Sequence, residues 1–151
     1  MTKNTFAECI DRVFKDPITK LLLKNSNLTQ LQFETFVIDV LTELLSEEKI
    51  SYKEKSFLRT KKVSRGSFSR TLSQSRNNII SSIFTILLIY YIGVFDSLHF
   101  EEYEMLADQL KEYSKLVVET DNKSKTILDT IERELVQGIS ELAKPRKLKV
   151  M

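Results

Sequence analysis

Residues 79–95 read IISSIFTILLIYYIGVF, 17 positions without a charged side chain. This run limits the fold more than any other feature, because so much contiguous apolar surface favours removal from water. Two environments meet that demand. One is the interior of a helical protein. The other is the hydrocarbon of a bilayer, for which about 17 residues is the lower limit. The flanks suit a single span with its amino side inside: basic residues precede the run, and Asp96, Glu101, Glu102 and Glu104 follow it. Against a span stand Ser81, Ser82 and Thr85 within the run, and helix-start signals well upstream. A continuous helix from Arg65 to Ile92 would be about 42 Å long, which suits a central hydrophobic helix covered by amphipathic neighbours. That is the reading adopted, with a small single-span membrane protein, Ile79 and Phe95 at the ends of its span, as an alternative.

The rest of the chain supplies the neighbours. Three glycines and two prolines in 151 residues leave few interruptions, so the expected class is all-α, built from long helices. Phe6, Ile10, Val13 and Phe14 fall at helical spacing, and a second short apolar turn begins after Pro17. Phe33, Phe36, Val37, Val40, Leu41, Leu44 and Leu45 form one stripe behind a capping box of Thr29 and Gln32, which predicts a core helix. Ser51 and Glu54 make a second capping box, opening a short helix from Tyr52 to Arg59 or Thr60. After the polar break RTKK, Ser64 is placed as a cap, with Val63 and Phe68 at the positions of a hydrophobic staple. From there Phe68, Leu72, Ser75 and Ile79 share one face, and Ser69, Arg70, Ser73, Gln74 and Asn77 lie around the other. Gly93 is the expected stop.

Beyond it, Tyr103, Leu106, Leu110, Tyr113 and Val117 alternate spacings of three and four as in a heptad seam, and TDNKSK interrupts them. Ile127, Leu128, Ile131, Leu135, Ile139 and Leu142 resume the stripe, as one long helix or a hairpin. The expected organisation is a helical domain over residues 1–100, an amphipathic arm over 101–143 that covers the core or joins two subunits, and a basic tail over 144–151.

Charge is distributed unevenly. Net charge is +2, but residues 49–76 alone carry +8, from nine basic side chains against Glu54, while residues 101–143 carry −6. A block of one sign raises the local potential and attracts polyanions even when the whole chain is nearly neutral. The bland readings are a solvated surface, or serines that are phosphorylation targets, since Arg70 lies three before Ser73.

Short helix, polar turn, cap, then a helix with an exposed polar face is the order of a helix-turn-helix. At VSRGSFSRTLSQSRNNI the chain resembles the recognition-helix region of helix-turn-helix transcription factors, through Val63, Ser64, Arg65, Gly66, Ser67, Phe68 and Leu72. The resemblance covers about residues 51–79. It departs from the family where LRTKK replaces the usual small residue and turn glycine and lengthens the turn. It implies a regulator or nucleoid-associated protein that binds duplex DNA. Ser64, Arg65 and Ser67 would offer a helix amino terminus to a phosphate, beside a glycine, Gly66, that lets a backbone approach closely. Arg70, Ser73, Gln74 and Asn77 would face the groove, and Lys53, Lys55, Arg59, Lys61 and Lys62 would contact the backbone. A homodimer through Tyr103 to Val117 and Ile127 to Leu142 would present two such elements. The competing class is a helical interaction or assembly module that binds no nucleic acid.

Nothing points to an enzyme. His99 is the single histidine, no phosphate loop, dinucleotide fingerprint or zinc spacing occurs, and no cofactor or metal is implied. A lone cysteine, Cys9, and an amino end without a signal-peptide pattern make the cytoplasm the expected location.

Overall fold

The computed structural model describes residues 3–93, 100–119 and 124–142, which form seven helices and no strand: α1 Lys3–Lys15, α2 Pro17–Lys24, α3 Gln30–Leu45, α4 Tyr52–Ser56, α5 Arg65–Tyr91, α6 Phe100–Glu119 and α7 Ser124–Leu142. The all-α class expected from the sequence is what is observed. The basic tail over 144–151, the connector carrying Phe95, Asp96 and His99, and the first four residues of the TDNKSK break lie outside the described residues.

Local signals set the helix starts. Pro17 occupies the first turn of α2, and the Asp16 carboxylate accepts from the Thr19 amide at 2.8 Å, so α1 and α2 are separate helices. Both expected capping boxes are present: Thr29 with Gln32 at α3 and Ser51 with Glu54 at α4. The short helix after Ser51 ends at Ser56, earlier than expected, in a turn where the Phe57 and Leu58 amides donate to the Glu54 and Lys55 carbonyls. Ser64 caps α5 by accepting from the Ser67 amide at 3.2 Å. At the far end Gly93 has φ of 77°, the left-handed conformation that glycine tolerates, and its amide donates to the Tyr90 carbonyl.

The chain forms two compact units, Met1–Ser81 and Ser82–Met151. In the first, Ile10, Ile38, Phe68 and Leu72 make the centre of the core, and Phe14, Phe36, Leu41, Tyr52, Leu58 and Val63 pack around them. Val63 and Phe68 thus meet in one cluster, as a staple requires. Phe14 meets Phe33 edge-on at 5.5 Å, and Tyr52 lies 6.0 Å from Phe68. The α5 face of Phe68, Leu72 and Ser75 is buried as its periodicity predicts.

The α3 stripe requires a correction. Its buried residues are Glu34, Thr35, Ile38, Asp39 and Thr42, while Leu44, expected in the core, is 74% exposed. The helix turns a partly polar face inward because each polar group there has a partner. Thr35 donates to the Leu31 carbonyl at 2.7 Å and Thr42 to those of Ile38 and Asp39, both at 2.8 Å. The two acids take partners from α4, α5 and the segment between them.

In the second unit α6 and α7 pack on each other, and Leu110 of the heptad seam is buried. The expectation that the apolar run of α5 is buried is not met: Ile83, Phe84, Leu87, Leu88 and Tyr91 are all exposed. No helix of the described residues is long and apolar enough to cross a membrane, because the polar first half of α5 dilutes its apolar end.

Ser75 Oγ is fully buried and lacks a hydrogen-bond partner. Ser75→Ala is therefore expected to raise the unfolding free energy by about 1 kcal/mol, since it removes a desolvated hydroxyl without opening a large cavity. Urea unfolding of the two proteins checks this.

Candidate nucleic-acid interface

The basic block divides into two populations. Lys53 on α4, Lys61 and Lys62 in the segment between α4 and α5, and Arg65 and Arg70 on α5 are exposed, and among the described residues no acid is paired with them. Ser64, Ser67, Ser73, Gln74 and Asn77 are exposed beside them. The helix that carries Arg70, Ser73, Gln74 and Asn77 buries the opposite face, so these four project away from the core.

Lys55 and Arg59 belong to the other population and leave the proposed set of phosphate contacts. Their side chains are 1% and 3% exposed. The Lys55 ammonium donates to Asp39 Oδ1 at 2.8 Å and Glu43 Oε1 at 2.7 Å, and lies 5.5 Å from the Tyr52 ring centre. Burial by itself lowers the Lys55 pKa, but hydrogen bonds and attraction from Asp39 and Glu43 outweigh it and hold the pKa above 10.5. Arg59 donates through Nε and Nη2 to Glu34 Oε2, both at 3.3 Å, and the Thr60 amide donates to Glu34 Oε1 at 2.6 Å. A cation whose donors are already committed inside the fold does not reach a phosphate.

These pairs set the geometry of the exposed ones. Asp39 also accepts from Arg76 Nη2 at 2.6 Å, so one carboxylate ties α3 to both α4 and α5. Two residues further along α5, Asn78 Nδ2 donates to the Asn27 carbonyl at 3.2 Å and to Gln32 Oε1 at 3.1 Å, while Asn27 Nδ2 donates to the Asn78 carbonyl at 3.3 Å. The polar half of α5 is thus held at Arg76 and Asn78, and Lys61 and Lys62 sit on a segment fixed at Arg59 and Thr60. None of Glu34, Asp39, Arg76 or Asn78 stood out as functional in the sequence. The available signal was three acids, Glu34, Asp39 and Glu43, along an amphipathic helix, followed by two cations spaced four apart.

Gly66 stands in the first turn of α5, where a Cβ would meet nothing within 4 Å. Packing inside the protein gives no reason for glycine there, so its small size is available to something outside. Among the described residues no three His, Cys, Asp or Glu side chains gather in a way that could hold a metal ion. No family model, curated protein or solved structure matches the chain.

Asp39→Asn is expected to cost about 3 kcal/mol of stability, because it leaves Lys55 buried with its charge poorly compensated. Lys61→Met should stay within about 0.5 kcal/mol of the wild type, as exposed substitutions do. The raised Lys55 pKa also fixes a pH dependence: its contribution is complete below pH 10.5 and is lost as pH rises through the folded-state value. Urea midpoints measured from neutral pH into the alkaline range should fall in the wild type, and more shallowly in Asp39→Asn.

Proposed function

We propose that the chain binds duplex DNA, as a transcriptional regulator or nucleoid-associated protein, through α4, the segment after it and the first half of α5. In this reading α3 is the supporting helix and α5 the reading helix of a helix-turn-helix with a lengthened turn. The observation that carries the proposal is the outward projection of Lys61, Lys62, Arg65 and Arg70 in a chain segment, residues 55–95, that contains no acid.

The chemistry of the face supports it. Arg70 suits the acceptor edge of guanine, and Gln74 and Asn77 suit adenine. Lys53, Lys61 and Lys62 supply phosphate contacts, and the first-turn amides of Arg65 and Gly66, ahead of the Ser67 amide that the Ser64 cap engages, add a backbone anion site at a glycine. The tethers at Arg76 and Asn78 of α5 and at Arg59 and Thr60 of the preceding segment support a preorganised surface. A homodimer through α6 and α7 would present two such faces, and a cytoplasmic setting would give them access to DNA.

Fluorescence anisotropy with a labelled duplex at several salt concentrations tests the proposal. With Lys53, Lys61, Lys62 and Arg65 at phosphates, the slope of log affinity against log salt is expected to be about −3.6. Lys62→Ala should make the slope shallower by about 0.9 and weaken all duplexes alike, and Arg70→Ala should relax sequence preference. Gly66→Ala should raise stability by about 0.5 kcal/mol or more while weakening binding, a pairing that a purely structural glycine does not give. Absence of binding at low salt, or indifference to Lys62→Ala and Arg70→Ala together, refutes the proposal.

A further inference from the structure

We infer that the second half of α5 is the surface on which two copies of this chain pair, antiparallel, about a twofold axis between Leu87 and Leu88. Phe84, Leu87, Leu88 and Tyr91 are 67%, 42%, 58% and 70% exposed. Their spacing of i, i+3, i+4 and i+7 makes one stripe along the helix. Ile83 and Tyr90 flank it, at 51% and 41% exposure.

The occupant follows from the order of residue types. FTILLIYY, residues 84–91, reads alike in both directions along the stripe: an aromatic at each end, Phe84 and Tyr91, and leucines at 87 and 88. A second copy running the opposite way sets Phe84 against Tyr91 and Leu87 against Leu88. This is the self-matching that a twofold interface demands. Charge fixes the direction. Arg65 and Arg70 precede the stripe on the same helix, and among the described residues no acid is paired with them. Parallel pairing would align these cations with their own copies, whereas antiparallel pairing sends them to opposite ends.

Size agrees as well. The six side chains expose on the order of 700 Å² on each copy, so a symmetric pair would cover on the order of 1,400 Å², within the range of roughly 1,200–2,000 Å² of specific interfaces. The stripe carries no charge with which to select a partner of opposite sign. The tyrosine hydroxyls at the rim keep contact with water while their rings are covered. This pairing is distinct from one through α6 and α7, and it stands whether or not the chain binds DNA.

The test uses full-length chains carrying Cys9→Ala. A tagged chain with Phe84→Cys is mixed with an untagged chain with Tyr91→Cys and oxidised. The expected product is a disulfide-linked pair of tagged and untagged chains, with little cross-linking when either is oxidised alone. Sedimentation of the wild type should show a dimer, weakened at least about tenfold by Phe84→Ser with Leu87→Ser, with helix content unchanged by circular dichroism because both side chains are exposed. Cross-linking of each chain to itself shows parallel pairing and overturns the inference. So does a dimer indifferent to the double substitution, or a wild-type chain that stays monomeric at every soluble concentration, including one that floats with lipid vesicles. A dimer that binds no DNA removes the proposed function and leaves the pairing in place.

Discussion

The first unit depends on one buried carboxylate. Asp39 accepts from Lys55 on one oxygen and Arg76 on the other, so three consecutive helices meet at a single side chain. In a buried site an ion pair is not a strong source of stability, because desolvation offsets much of the attraction. What it imposes is register. If α3 slid or rotated by one turn, Asp39 and Lys55 would be left as lone charges in an apolar setting. The apolar cluster of Ile10, Ile38, Phe68 and Leu72 supplies the drive to collapse, and the charges select which collapsed arrangement survives.

The same interaction shapes the outer surface. By holding Arg76 against α3, with Asn78 tied to the loop before that helix, the fold gives the polar half of α5 a fixed outward face. Glu34 does the corresponding work for the segment after α4, binding Arg59 and the Thr60 amide just before Lys61 and Lys62. Cations that face solvent are thus carried on cations that do not. The segment from Lys53 to Asn77 is simultaneously a structural anchor and the most electropositive surface described.

Much of this architecture was legible from residue order. Capping boxes at Thr29 and Ser51, the Ser64 cap, the staple of Val63 and Phe68, and the stop at Gly93 are local signals, and each is present in the structure. The inner face of α5 followed from periodicity for the same reason. The inner face of α3 did not. Periodicity weighs hydrophobicity residue by residue, and it placed Leu44 in the core stripe and left Glu34 out of it. The true orientation rests on partners 12 to 37 positions away, whose pairing no local window contains. The same blindness placed Lys55 and Arg59 on the candidate surface, since a buried lysine and an exposed one look identical in a count of charges. Exposure of the apolar end of α5 was hidden for a different reason: sequence tells how much apolar surface exists, not which molecule covers it.

The division of the basic residues has a consequence for how the protein would respond to its ionic surroundings. Dissolved ions screen charges separated by solvent over a Debye length of about 10 Å at 0.1 M and about 3 Å at 1 M. They act little on the pairs of Lys55 with Asp39 and of Arg59 with Glu34, which lie within 3.3 Å and out of water. Rising ionic strength would therefore quiet the outer cations while the inner ones kept their grip. A polyanion would be released well before the scaffold loosened, so attachment and folding answer to different concentrations of the same salt.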